Sequence, residues 1–221
     1  MKGLRLVFRT PEKWDESSSY YQVEWPPTGN RLFARLDTFD SGKPSEVGEI
    51  YSRFVMANTP QDSNILFTIR TEQGKGEFEA SLQSLGEPFQ DMILPSRKSW
   101  FSKASREKRA LAGSTRHSEI VRRLFEDYDV EWFSQSQFWF IISKRDLREY
   151  SEQLFNLSVE ADKRVVRSTT VDDSYCILTT LWEHGMDILS NKVSRRRLEE
   201  TARKVADEKG ITLVIEDARP P

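Results

Sequence analysis

SRRRLEETARKVADEKGITLVIE, residues 194–216, carries the two periodicities from which the fold is read. Ser194 stands where a hydroxyl accepts from the free amides of a first helical turn, and Gly210 where a left-handed residue ends the helix. Ile211 to Glu216 then reads as a strand. Working backward, the sequence predicts strands at Tyr175–Trp182 and Lys163–Ser168, a helix from Lys144 to Phe155 opened by Ser143, and a strand at Phe138–Ile142. The order is βαββαβ, the ferredoxin-like arrangement, with its first and third strands central and its second and fourth at edges. FWFII (Phe138–Ile142) and YCILTTLW (Tyr175–Trp182) are the most apolar strands, as central ones must be, and Arg164, Arg167 and Glu216 are charges suited to edges. A helix over Glu119–Tyr128, burying Ile120, Val121, Leu124, Phe125 and Tyr128, precedes this unit.

Toward the amino terminus the period shortens to two. LRLVF (Leu4–Phe8), YYQVEW (Tyr20–Trp25) and RLFARLDTF (Arg31–Phe39) read as strands, the last two joined by a Pro-Pro-Thr-Gly-Asn turn. Ser45 then opens a helix whose Val47, Ile50, Tyr51, Phe54 and Val55 form one apolar stripe, stopped between Asn58 and Pro60. NILFTIR (Asn64–Arg70) and EFEASL (Glu77–Leu82) complete a second hairpin. The fold class expected is therefore α+β, with a mostly antiparallel sheet and one helix in the first half and a ferredoxin-like second half. Three segments follow: a β-rich domain over 1–82, a basic connection over 83–118 with one helix from Arg97 to Ala112 closed by Gly113, and the ferredoxin-like domain over 119–221.

Composition narrows the chemistry. The 221 residues carry 33 Lys and Arg against 35 Asp and Glu, a net charge of −2, and 37% are hydrophobic, which excludes the disordered class. No apolar run approaches the roughly 18 residues of a membrane span, and the first residues lack the apolar block of a signal peptide. A cytoplasmic protein with no membrane contact is expected. One cysteine and two histidines leave too few ligands for a multi-cysteine metal site or for zinc, and neither metal nor cofactor is expected.

The basic connection is the main anomaly. Between Arg97 and Arg123 nine cations (Arg97, Lys98, Lys103, Arg106, Lys108, Arg109, Arg116, Arg122, Arg123) face two acids, Glu107 and Glu119, so the remainder of the chain carries the opposite excess. Such a field attracts phosphates, and Trp100 and Phe101 supply rings for stacking on exposed bases. The competing reading is a solvated face that satisfies acids of the same molecule. Arg195, Arg196 and Arg197 form a second cluster at a helix start, where an anion would be welcome, but Glu199 and Glu200 stand four residues on and offer neutralising pairs. The aromatic Phe138, Trp139 and Phe140 invite comparison with RNA-binding sheets, yet Asp172 and Asp173 enter the other central strand in place of a basic-glycine-aromatic signature.

Catalytic constellations are sparse. Arg116-His117 would serve a metal-independent ribonuclease, His184 follows the most apolar strand, and Cys176 reads as a buried small hydrophobe. Aromatics such as Trp14, Tyr20, Tyr21, Trp25 and Trp132 suit an interface. The sequence thus points to binding rather than catalysis, with a protein partner of the inhibitor, adaptor or immunity kind first, nucleic acid through 97–123 second, and an RNA-processing enzyme third.

Overall fold

The computed structural model describes residues 2–9, 31–39, 44–70, 75–94, 108–127, 139–149, 178–182 and 185–218. Alternating sequences at the amino terminus form β1 (Gly3–Arg9) and β2 (Leu32–Phe39), and the apolar stripe forms helix α1 (Pro44–Asn58). Then come β3 (Asn64–Arg70), α2 (Lys75–Ser84), β4 (Phe89–Leu94), β5 (Lys108–Thr115), α3 (Ser118–Asp127), β6 (Trp139–Ser143), β7 (Leu178–Trp182), β8 (Gly185–Ser190), α4 (Arg195–Lys209) and β9 (Thr212–Asp217). The class is mixed α and β with a mainly antiparallel sheet.

The strands join in one order, β4-β5-β3-β6-β7-β8-β2-β1-β9. Every neighbouring pair is antiparallel except β1 with β9. Among the described residues, helices α1 to α4 lie on one face, where Leu4, Leu6, Leu36, Ile65, Phe67, Leu111, Ile142 and Ile188 meet Tyr51, Phe54, Leu82, Leu124, Phe125, Leu198 and Val205 in one buried core. Helix α1 packs along both α3 and α4, and Tyr51 meets the Phe125 ring at 5.5 Å. The stripe Val47, Ile50, Tyr51, Phe54 and Val55 is buried as its spacing requires, and so are Ile120, Val121, Leu124 and Phe125. Ser194 caps α4 by accepting from the Arg197 amide at 3.2 Å, and Gly210 closes it at φ 61°.

Several expectations are corrected. Glu77–Leu82 is helical, within α2, so β3 pairs with β5 and β6 instead of forming a hairpin with it, and the first half holds two described helices rather than one. Its Glu, Ala, Leu and Gln are helix formers, and with Leu82 buried in the core the helix outweighs a weak alternation. The expected helix Arg97–Ala112 ends in a strand: 108–112 belongs to β5, bonded on both sides, and Gly113 lies inside that strand rather than capping a helix. Strands β4 and β8 were not anticipated, because FQDMIL and GMDILS break strict alternation.

The second half does not show ferredoxin-like pairing. Its first and third expected strands, β6 and β7, are adjacent but antiparallel, and its last, β9, lies at an edge beside β1. Strands on either side of the expected boundaries pair directly, β2 with β8 and β1 with β9. The physical reason is that a strand's partners are set by which edges remain open, a property outside its own sequence. Tyr20–Trp25, Lys163–Ser168, Tyr128 and the second half of Lys144–Phe155 lie outside the described residues, although 147–149 are helical.

Candidate functional site

Three places concentrate charge. The first is on the sheet face opposite the helices, where side chains of odd register in β2 and β8 meet. Arg35 faces Asp187 across the ladder and Asp37 faces Gly185. The Arg35 guanidinium donates from Nε to Asp37 Oδ1 at 2.7 Å and sets Nη1 3.5 Å from Asp187 Oδ1. Asp187 is buried. Burial works against the Arg35 charge, but Asp187 and Asp37 outweigh it and hold the guanidinium above its ordinary pKa. Gly185 is what makes the crossing possible, since a Cβ there would stand 2.0 Å from Asp37 Oδ1 and 2.5 Å from Arg35 Nη2.

The second place is a cleft of ≈ 280 Å³ between the start of α1 and the end of α4, lined by Lys2, Gly3, Glu46, Glu49, Ile50, Lys209 and Ile211. Its charges answer one another. Lys2 pairs with Glu46 and Lys209 with Glu49, while Arg53 binds Glu49 at 3.0 Å and Glu208 at 2.8 Å. The hydrogen bond from Lys209, joined by Arg53, holds the Glu49 carboxyl below its usual range despite some burial. The sign follows: a carboxyl with a depressed folded pKa stabilises above its unfolded value and loses that contribution as acid titrates it. Urea midpoints of the wild type should fall as pH drops below about 4.5, and Glu49→Gln should flatten that limb while lowering the neutral plateau. An unchanged acid limb in the variant would count against the Glu49 pairing.

The third place is the rim where β5, β6 and β8 end. These strands run the same way, because each is antiparallel to a shared neighbour, β3 or β7. Each ends in a hydroxyl that staples the following turn: Thr115 Oγ1 accepts from the His117 amide at 2.9 Å, Ser143 Oγ from the Arg145 amide at 3.1 Å, and Ser190 Oγ from the Lys192 and Val193 amides at 3.1 and 2.8 Å. Arg116 Nε donates to Asn64 Oδ1 at 2.8 Å, Asn64 Nδ2 donates to the Arg145 carbonyl at 3.4 Å, and Lys144 pairs with Asp62. His117 Nε2 stands 3.5 Å from Glu87 Oε1, which also receives the Thr115 hydroxyl at 2.9 Å and the Arg116 amide at 3.1 Å.

The cations singled out in the sequence do not all gather there. Arg97, Lys98, Trp100, Phe101, Lys103 and Arg106, like His184 and Cys176, lie outside the described residues. Lys108 and Arg109 open β5 while Arg116 follows its end, some seven residues or roughly 23 Å away along an extended strand. On α3, Arg122 bonds Glu119 at 2.6 Å and Arg123 reaches Ser81 Oγ. In α4, Arg195 holds Glu199 and Asp217 at 2.8 and 2.6 Å and stacks 4.2 Å over the Phe8 ring, Arg196 holds Glu200 at 2.8 Å, and Arg197 donates to the Ala57 carbonyl at the end of α1 at 2.7 Å. That second cluster is engaged with the molecule itself. Sequence reasoning missed the Arg35 network and the rim, whose members lie far apart along the chain; the strand directions that unite them are a property of the sheet.

Among the described residues the fold is a layered α and β one, with α1 to α4 on one sheet face, the Arg35 cluster on the other and further charges along one rim. No family model, curated protein or solved structure matches the chain. No helix among the described residues is long and apolar enough to cross a membrane.

Proposed function

We propose that this chain is a binding protein whose partner is another protein, engaged as an extended segment along the β4 edge. One observation carries the reading. Among the described residues the exposed large hydrophobics are Leu85 and Ile93, 42% and 60% accessible, and both belong to the unit running from the end of α2 into β4. That strand is the last of the sheet, bonded to β5 alone among described strands. An edge offering backbone donors and acceptors together with an apolar side chain is the arrangement that β-strand addition uses, and proteins that do not use it cover or charge it. The opposite edge, β9, is of that guarded kind, with Arg5 and Glu216 3.7 Å apart and Asp217 held by Arg195. On this reading the chain acts as an inhibitor, adaptor or immunity protein.

The test is isolation of the tagged full chain from its own host. A stoichiometric protein partner is expected, and Ile93→Lys should abolish its retention while leaving circular dichroism and the thermal midpoint unchanged. A chain that purifies alone, or a lysine variant that keeps its partner, contradicts the proposal.

A further inference from the structure

We propose that the rim where β1, β5, β6 and β8 end is a second binding surface, which takes the sugar–phosphate backbone of a nucleic acid. This goes beyond the protein-docking reading and does not depend on it. Leu32 faces Ser190, so Arg31 and Lys192 flank that pair, and Arg9 faces Phe33 on the next strand. Arg31 and Lys192 are exposed, and Arg9 is half-buried with its guanidinium 5.6 Å over the Phe33 ring. Among the described residues none of the three has an ion pair. Arg116, further along the same rim, donates to the neutral Asn64 and is in no direct ion pair with a described acid, although its charge also acts on Asp62.

Within two residues of the strand ends on this rim, the described cations are Arg9, Arg31, Arg116, Lys144, Arg145 and Lys192, and the acids Asp62, Glu87, Asp91, Glu216 and Asp217. Asp62 is engaged by Lys144 and Asp217 by Arg195. On a chain of net charge −2, the three cations without a described ion pair, Arg9, Arg31 and Lys192, thus stand together at the neighbouring ends of β1, β2 and β8. From β5 to β1 the rim crosses six strand intervals, roughly 29 Å at ordinary strand spacing, and a linear array fits a linear polyanion. An anionic membrane would attract the same charges, but interfacial binding also needs apolar insertion. The exposed Leu85 and Ile93 belong to the far end of the sheet, with β4 five strand intervals from β8. Phe33, beneath Arg9, is 1% accessible and offers no base a stacking surface, so contact is through phosphate and indifferent to sequence.

The experiment is fluorescence anisotropy of the full chain with a labelled mixed-sequence RNA of about 20 nucleotides, titrated across salt. Four phosphate contacts by Arg9, Arg31, Lys192 and Arg116 give a slope of log K against log salt near −3, at about −0.7 per contact. The triple variant Arg9→Gln, Arg31→Gln, Lys192→Gln should weaken binding at least about tenfold and flatten the slope by about 2. Arg196→Gln, on an exposed cation held by Glu200, should leave both unchanged. Because Arg9 packs on Phe33, the double variant Arg31→Gln, Lys192→Gln is measured alongside and should flatten the slope by about 1.4 without altering circular dichroism. Absence of binding at low salt, salt-independent binding, full binding by the folded double variant, or rim-dependent binding to phosphatidylserine vesicles but not RNA would each overturn the proposal. The Ile93→Lys chain should bind RNA normally, which separates failure here from failure of the protein-docking reading.

Discussion

Arg35→Met should lower stability by about 3–5 kcal/mol, the usual cost of removing one partner from a buried charge pair. Methionine keeps the aliphatic stem, so the loss is electrostatic rather than a cavity. Asp187, 3% accessible, would be left buried without the guanidinium that now stands 3.5 Å from it. At about 2–4 °C per kcal/mol for a chain of this size, the thermal midpoint should drop by roughly 10 °C. The defect should be largest at neutral pH, where Asp187 carries its charge, and shrink as acid neutralises the carboxylate. Adding Asp187→Asn should recover part of the loss for the same reason. A drop under about 1 kcal/mol in Arg35→Met, or no recovery in the double variant, would show that the pair is better hydrated than its burial indicates.

Gly113→Ala should cost about 3 kcal/mol, at the upper end for overpacking a core. Propensity alone gives the opposite sign, because alanine in a strand loses less backbone entropy than glycine. Packing decides it: a Cβ at 113 would stand 2.3 Å from Phe67 Cζ, and that ring is fully buried with no free direction in which to swing. Phe67 and Phe89 face Gly113 from the two flanking strands, so the glycine seats an aromatic on a sheet that has no room for both a ring and a methyl group. Phe67→Leu in the Gly113→Ala background should restore stability, with a coupling of at least about 1 kcal/mol in a double-mutant cycle. A neutral or stabilising Gly113→Ala would refute this geometry. The helix expected from the sequence makes a different forecast, since there Gly113 would matter for a left-handed φ, and the described glycines with positive φ are Gly86 and Gly210.

Gly113 and Gly210 show what was legible. At 210 the glycine follows a long periodic helix and precedes an apolar strand, and these local signals agree with the packing. At 113 the sequence KRALAGST fits either a helix end or a strand, and only hydrogen bonding to β3 and β4 on both sides makes it a strand. Arg195 with Glu199 and Arg196 with Glu200 were readable because four residues span one helical turn. Arg35 with Asp187, and Arg31 beside Lys192, were not, since more than 150 positions separate each pair along the chain.

What the sequence determined by itself is therefore local: the helices α1, α3 and α4 with their buried stripes, strands β1, β2, β3, β6, β7 and β9, and the mixed α and β class. Periodicity and capping act over one or two turns, and they are written in neighbouring residues. The tertiary structure alone decided which strands pair, that the two halves of the chain contribute alternately to the sheet, and where scattered cations and carboxylates come together. Pairing depends on edges presented by distant segments and on side chains such as Phe67 that must find space across the ladder, so no stretch of the chain states it in advance.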